Sequence, residues 1–324
     1  MQAYIAKRCL LFIPTLLMAT LLAFLLLRVI PGDPALVKLA GETGDSSFTQ
    51  AELHDLQVKL GTDKPLYVQY GKWVWGMLKL DFGESMFFEE PVAKDLADKF
   101  PITLELTVLS MLIATVIAVP LGLISAIKQD TPTDYIARII SITGVALPNF
   151  WVGILIVYFL VLLFAWMPPL GYADLWDDPL TNLQQFIFPA LALGFFEMAF
   201  TARVTRSSML EVYREDYTRT ARGKGLAERV VIVRHALKNA LLPVVTVSGY
   251  QFGRLLAGTV VIENIFMVPG MGKLLVDSVF HRDYTEVQAI VMVVTVSVLI
   301  LNLLLDVIYG WLNPRIRYAQ SVSP

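Results

Sequence analysis

Long apolar stretches separated by shorter polar segments set the pattern of this chain. A hydrocarbon core about 30 Å thick is crossed by roughly 20 residues of helix, and six stretches reach that length. They cover residues 9–30, 102–127, 139–166, 186–204, 241–262 and 287–311. Because a helix satisfies its own backbone hydrogen bonds in lipid, the pattern predicts an all-α integral membrane protein with six transmembrane helices.

Prolines mark two interruptions of this pattern. The sequence Pro31-Gly-Asp-Pro34 is a turn signal that ends the first stretch. The third stretch is longer than one span requires, and Pro148 lies inside it beside Asn149. Because proline removes a backbone donor and bends a helix, we expect the third span to tilt or kink at this position.

The segment at 31–100 carries aromatic residues and leucines at helical spacing between the first two spans. Thr49 is followed by Glu52, which predicts a capping box, and the leucines after it predict a helix that ends at Gly61. A second helix is predicted over 66–80. We interpret the segment as a small helical cap on the outer face; docking of an external partner is the alternative.

Lysine and arginine are concentrated in the connections of one side. The connection around Trp176 holds aspartates and no basic residue, whereas the connection between spans four and five holds nine basic residues. Basic residues accumulate on the cytoplasmic side of membrane proteins. We therefore expect both termini to face the cytoplasm and residues 31–100 to face outside. The nine are Arg203, Arg206, Arg214, Arg219, Arg222, Lys224, Arg229, Arg234 and Lys238.

Composition agrees with a membrane location. Of 324 residues, 56% are hydrophobic and 17% are charged, and the net charge of −2 gives no reason to expect nucleic acid as a partner. Mean hydropathy is +0.62. Cys9 is the only cysteine, which excludes an internal disulfide and a thiolate metal cluster. The first apolar stretch exceeds a signal-peptide core and lacks a cleavage site, so we expect it to remain as a span.

Sequence motifs for catalysis are absent. The run Gly270-Met-Gly-Lys273 lacks the spacing and the hydroxyl of a P-loop, so this chain is not expected to bind ATP that way. His54, His235 and His281 are far apart and predicted on both sides of the membrane, which argues against a shared metal site. No nucleophile elbow occurs. We expect no catalytic residue and no metal site.

The basic connection at 206–240 has the pattern of a docking surface. Asp216 is predicted to cap a short helix, and Gly223 and Gly225 to interrupt it before a second helical stretch at 227–240. A short helix lying parallel to the membrane would present small and charged residues to a soluble partner. The alternative from composition alone is an ordinary basic loop.

The amino-acid sequence of this connection resembles the EAA loop of ABC importer permeases. Arg219-Thr-Ala221 is followed after three residues by Gly225, and the run Asp216–Leu226 with Arg234–Thr246 looks like the peptide-permease branch. The general pattern has Glu-Ala-Ala at the first of these places, and often proline where Lys238 stands.

Further matches occur in order along essentially the whole chain. They are Ile13-Pro-Thr15, Pro31-Gly-Asp-Pro34, Asp81-Phe-Gly-Glu-Ser85, Thr205-Arg-Ser-Ser-Met-Leu-Glu211, Val268-Pro-Gly-Met-Gly-Lys273, Arg282-Asp-Tyr284 and Asn313-Pro-Arg315. The chain is therefore identified as resembling the dipeptide and oligopeptide permeases of binding-protein-dependent ABC importers, whose MetI-like core has five helices.

This resemblance implies a set of partners in a bacterial plasma membrane. They are a second homologous permease, two cytoplasmic ABC ATPase subunits that bind the ATP and magnesium, an extracytoplasmic peptide-binding protein and the lipid bilayer. It also implies that the connection seats in an ATPase subunit. The expected contact residues are Tyr217, Arg219, Thr220, Ala221, Arg222, Gly223, Lys224, Gly225 and Leu226.

The expected organisation has four parts. Residues 1–30 form the N-terminal transmembrane helix and 31–100 the extracytoplasmic cap. Residues 101–311 form the five-helix permease core with its coupling loop at 206–240, and 312–324 form a cytoplasmic tail.

Four ionisable residues fall within or near predicted spans. Charges at membrane depth are costly and usually face a cavity or a partner. Glu197 and Arg254 lie deep in their spans, whereas Glu105 and Asp306 lie near span ends, where an interfacial role is the alternative. We take all four as candidates for the translocation path.

The sequence thus predicts a non-catalytic permease subunit of an ATP-driven importer for di- and oligopeptides. Import of glutathione, a nickel chelate or another small solute by the same architecture is the nearest alternative. A passive channel or a membrane enzyme is the alternative from another class.

Overall fold

The computed structural model describes residues 2–29, 34–40, 48–87 and 90–312. All the longer regular elements of these ranges are helices, beside one isolated β-bridge between Glu84 and Pro91, so the all-α prediction is confirmed. The helices are α1 Gln2–Val29, α2 Pro34–Ala40, α3 Gln50–Leu60, α4 Leu66–Leu78, α5 Val92–Ile127, α6 Pro132–Ala146, α7 Asn149–Phe164, α8 Pro179–Tyr213, α9 Asp216–Gly223, α10 Glu228–Val230, a π-helix Val231–Leu237, α11 Lys238–Gly258, α12 Val260–Phe266, α13 Met271–Phe280 and α14 Tyr284–Leu312.

Four described helices have the length and apolar composition to cross a membrane. They are α5, α8, the stretch Glu228–Gly258 and the part of α14 at Tyr284–Val307, and α6 with α7 makes a fifth if the bent pair is one span. The apolar part of α1 that the structure describes, Leu10–Leu25, is shorter. A count of six spans stays a prediction. The turn at 31–33 and the tail from Asn313 lie outside the described residues.

The third predicted span is broken rather than gently bent. Its two helices, α6 and α7, meet at 104° across Leu147 and Pro148. Leu147 is extended and its N–H bonds to the Thr143 carbonyl, while Pro148 stands as the residue before α7. Proline restrains the residue before it to extended conformations, so the helix stops where the sequence predicted a kink.

The described chain forms two compact units. One contains residues 103–268 and those from 301, and the other contains residues 2–102 and 269–300. In the first unit, α8 packs against α6, α7 and α11. Small residues of α5 and α6 lie close to α8: a Cβ on Gly122 of α5 would lie 2.5 Å from the Ala202 carbonyl, and one on Gly144 of α6 2.6 Å from the Ala199 Cβ.

The second unit contains the helices predicted for the segment at 31–100. Thr49 and Glu52 form the predicted capping box, and Gly61 ends α3 in the left-handed conformation at φ 69°. The helix α4 ends at Leu78, two residues before its predicted end. Its Tyr70 shares a 2.7 Å hydrogen bond with Thr20 of α1. The predicted helices of this segment are therefore confirmed, while their side of the membrane stays a prediction.

Candidate functional site

The short helix α9 presents one face to solvent and buries the other. Thr218 and Ala221, three residues apart, are buried. The Thr218 hydroxyl donates to the carbonyls of Tyr213 and Glu215 at 3.0 and 2.6 Å, which ties the helix to the end of α8. The cap is Glu215 rather than the predicted Asp216, which is the first residue of the helix.

Seven of the nine predicted contact residues of this connection are exposed. Arg222 is half-buried, and Ala221 faces the interior of its own chain, where it supports the helix. The exposed residues are Tyr217, Arg219, Thr220, Gly223, Lys224, Gly225 and Leu226.

A polar cluster fastens α9 to the elements on either side. Arg222 donates to the Glu228 carboxylate at 3.2–3.3 Å, and its guanidinium lies 4.1 Å from the centre of the Tyr213 ring. The Tyr213 hydroxyl also donates to Glu228. Bonding to this carboxylate raises the pKa of Arg222. A second link joins Asn239 Nδ2 to the Tyr217 hydroxyl at 2.9 Å. The cluster connects α9 to α8 and to the helical stretch that leads into α11.

The two glycines of the connection differ in what they require. Gly225 has φ +78°, a left-handed conformation that disfavours other residues, whereas Gly223 ends α9 with helical geometry. A Cβ at either place would have no atom of the described chain within 4 Å. Both positions are therefore open to an approaching partner.

The helical stretch after α10 is anchored to its own chain. A π-helix runs over Val231–Leu237, where the sequence predicted an ordinary helix. Its Ile232 and Ala236 are buried with Met209 of α8 and Ala126 of α5. Single-turn widenings of this kind are frequent at functional sites. The connection is thus held from both ends by packed apolar residues.

A buried ion cluster lies near the same end of α8. Asp134 of α6 is fully buried, and Arg206 of α8 donates to both of its carboxylate oxygens at 2.9 Å. Arg138 donates at 2.6 and 3.2 Å, and Ser125 of α5 at 2.5 Å. Sequence reasoning missed this residue. The only local signal was the Asp134–Arg138 spacing of four, since the partners on α5 and α8 are distant in sequence.

Two of the four candidate intramembrane charges form one ion pair. Arg254 Nη2 of α11 donates to Glu197 Oε1 of α8 at 2.8 Å. Glu197 is 1% exposed, while the Arg254 side chain is 59% exposed and lies 4.7 Å from the centre of the Phe196 ring. Glu197 Oε2 is buried and has no hydrogen-bond partner among the described residues.

A cavity of about 500 Å³ lies against this pair. The break between α6 and α7 forms part of its wall through Leu147, Pro148 and Asn149. Glu197 and Arg254 form another part. The structure therefore places a buried acid, a basic side chain and two helix ends around one space.

Glu105 belongs to a different polar group. Its carboxylate accepts from Asn182 Nδ2 at 2.7 Å and from the Tyr172 hydroxyl at 2.9 Å. Burial, and then the bond to Glu105, raises the pKa of Tyr172 to about 12, so the phenol remains a donor. Asn182 also donates to the Ala173 carbonyl at 2.9 Å. Glu105 thus fixes the connection that precedes α8.

Asp306 lies on α14 and accepts a long hydrogen bond of 3.4 Å from the Tyr250 hydroxyl of α11. Neither Asp306 nor Glu105 lines the cavity beside Glu197, as far as the described residues define its wall. The structure brings two of the four candidates together and leaves these two elsewhere.

Comparison with known proteins bears on the whole chain. A family model described as binding-protein-dependent transport system inner membrane component matches residues 118–318, and a model for the N-terminal part of such components matches residues 1–107. A Brucella abortus protein named as a peptide transport system permease is 39% identical over 98% of this chain and 100% of its own length. A Salmonella paratyphi A protein named as a glutathione transport system permease is 40% identical over the same shares.

One solved structure shares the fold. The crystal structure of an amino acid ABC transporter with histidines matches with a TM-score of 0.53 and 16% identity, over 67% of this chain and 93% of the other. At that identity the likeness concerns the arrangement of helices alone.

Proposed function

The chain belongs to the family of binding-protein-dependent transport system inner membrane components, and from this premise we propose how its residues take part in import. It is a non-catalytic permease subunit of an ABC importer of the peptide type, and the ATPase lies on a separate subunit. It is an inner membrane component.

We propose that α9 is the coupling helix, with the exposed residues Tyr217, Arg219, Thr220 and Gly223–Leu226 facing an ATPase subunit. The observation that carries this proposal is the division of α9 into a buried and an open face. Arg222, held by Glu228, adds charge at the edge of the contact. Such a surface suits a cleft with acidic and small residues.

The proposed coupling is mechanical. Arg222 and Tyr213 hold α9 to α8, and Tyr217 holds it to Asn239 of α11. A push on α9 therefore reaches the two helices that carry Glu197 and Arg254. We propose that this pair lines the translocation path. Glu105 and Asp306 remain candidates for the translocation path, although neither is among the residues that line the cavity beside Glu197.

The proposed assembly contains a second homologous permease, two ATPase subunits and an extracytoplasmic binding protein. Both chain termini and α9 face the cytoplasm in this proposal. Short peptides are the proposed cargo, by the name of the Brucella relative, and glutathione is the second candidate, by the name of the Salmonella relative.

Transport by the reconstituted complex tests this proposal. We expect proteoliposomes that contain this chain with its partners to take up labelled trialanine only with ATP, magnesium and the binding protein present. A matched complex whose ATPase lacks its P-loop lysine is the control. Uptake that proceeds equally without ATP would indicate a channel and would refute the proposal, while uptake of labelled glutathione alone would select the second cargo.

Cysteine labelling tests the orientation. Cys9 is the only cysteine, so a Cys9→Ser background allows single cysteines at Lys224→Cys and Trp176→Cys, both at exposed positions. With a membrane-impermeant thiol reagent on intact cells stripped of their outer layers, we expect labelling at 176 and none at 224. Position 224 should react only after the membrane is opened. The reverse pattern would place α9 outside and contradict the coupling role.

A further inference from the structure

We propose that the cavity at the break between α6 and α7 binds the two charged ends of a short zwitterionic peptide, its ammonium at Glu197 and its carboxylate at Arg254. This inference rests on the proposed path and deepens it by naming a substrate class and a subsite. Its three supports are an unsatisfied buried carboxylate oxygen, an exposed guanidinium, and two helix ends of opposite polarity.

The glutamate at the cavity has one carboxylate oxygen without a hydrogen-bond donor among the described residues. Glu197 is 1% exposed, and Arg254 reaches only its Oε1, so Oε2 is left without a donor among the described residues. A buried charged oxygen without a donor is costly. An ammonium group in the cavity would supply that donor with the matching charge once a rotation of the Glu197 side chain turns Oε2 toward it.

The Arg254 guanidinium has more N–H donors than its contact with Glu197 uses. Arg254 uses Nη2 toward Glu197, and its side chain is 59% exposed. A guanidinium has five N–H donors in a planar fork, and a carboxylate can accept two of them. The Phe196 ring, 4.7 Å from the guanidinium carbon, supports one face of the group. The arginine can therefore bind a carboxylate while it keeps its contact with Glu197.

The broken span adds two helix ends of opposite polarity to the same wall. The helix α6 ends at Ala146 and α7 begins at Asn149, and both residues line the cavity. Pro148, which precedes α7, makes no side-chain cap bond to the first N–H groups of that helix. Helix N-termini favour anions and C-termini favour cations. Discontinuous spans commonly place such ends at the substrates of transporters.

The remaining wall is suited to variable side chains. Leu193, Leu255 and Gly258 provide apolar or open surface, and a volume of about 500 Å³ lies within the usual range for small-ligand sites. Such a wall makes few directional contacts. The site would thus read the charged termini that all short peptides share and tolerate differences between their side chains.

A purely structural ion pair is the competing explanation. Arginine–carboxylate pairs are frequently bidentate, as Arg206 is with Asp134. Glu197 and Arg254 make a single contact, and the second oxygen is covered by its own chain beside the cavity. This geometry favours a third participant.

Equilibrium binding to the complete transporter complex in nanodiscs, without the external binding protein, tests the proposal. The probes are labelled trialanine, N-acetyl-trialanine and trialanine amide. We expect trialanine to bind about ten- to a hundredfold more tightly than either blocked peptide, because each blocked end loses a charge-assisted hydrogen bond. In Glu197→Gln, trialanine and N-acetyl-trialanine should bind alike, and Glu197→Asp should restore part of the difference.

Glu263→Gln is the matched control. Glu263 is also a fully buried glutamate of the same unit, bonded by Thr103 at 2.8 Å, and it does not line this cavity. It should leave the preference for the free ammonium intact. Equal binding of all three probes by the unaltered complex, or an unchanged preference in Glu197→Gln, would overturn the inference. ATP-dependent uptake would survive that result, so the proposed function is tested separately.

Discussion

Replacing Gly223 with tryptophan is expected to leave the chain in the membrane and to reduce ATP-driven uptake at least tenfold. Within the described chain a Cβ at this position meets no atom within 4 Å, and its backbone is helical, so the substitution should not disturb the fold. A clash at the proposed ATPase contact that costs about 1.4 kcal/mol already gives a factor of ten in association. Uptake and co-purification of the ATPase subunits are the measurements.

Gly225→Trp should have the larger effect. It places the same bulk against the partner and also forces a tryptophan into φ +78°, at a further cost of about 1–2 kcal/mol. Comparison of the two variants therefore separates contact from backbone strain. We expect uptake to be abolished in Gly225→Trp with membrane insertion intact.

Two glycines outside the connection serve as matched controls. Gly71 matches Gly223, because a Cβ built at either position has no atom within 4 Å. Gly171 matches Gly225, because it has the same open space and a positive φ of +93°. Gly71→Trp and Gly171→Trp should retain the ATPase subunits. If Gly223→Trp also retains them and transports normally, α9 does not seat against the ATPase at this point.

The helix start at Thr49 and the break at Pro148 could be predicted from the sequence, because each depends only on residues close by in the chain. Thr49 and Glu52 are three residues apart and need only each other to form their capping box, so spacing sufficed to place α3. Pro148 likewise acts on its own neighbours and fixed the position of the break. The angle of 104° could not be predicted, because it depends on how the helices on either side pack.

Contacts between residues that are far apart in the chain could not be predicted from the sequence. Glu197 and Arg254 were predicted separately as membrane-depth charges, and nothing in their spacing showed that they meet. The burial of Ala221 within α9 was also hidden, because an eight-residue helix has no long periodic pattern. Asp134 was missed since its position in the first turn of α6 is typical of an exposed acid.

Asp134→Asn is expected to destabilise the folded chain strongly. The fully buried carboxylate accepts from Ser125, from the Asp130 N–H, and from Arg138 and Arg206, so it joins α5, α6 and α8. Asparagine keeps the volume but removes the anion that Arg206 contacts and leaves Arg138 with only the exposed Asp130. Removing one partner of a buried pair costs about 3–5 kcal/mol. We expect the midpoint of thermal unfolding in detergent to fall by roughly 5–10 °C. The fraction of monodisperse protein that remains after heating measures this midpoint.

Asp130→Asn provides the control, because Asp130 is an exposed acid that belongs to the same cluster. Its side chain is 66% exposed and makes one 3.3 Å contact with Arg138, a kind of pair that contributes about 0–1 kcal/mol. Equal unfolding midpoints for the two variants would mean that the buried cluster adds no stability. A large loss confined to Asp134→Asn would instead identify this carboxylate as the anchor of α6. Because α6 ends at the break beside the cavity, such an anchor at its other end is what would hold that wall in place.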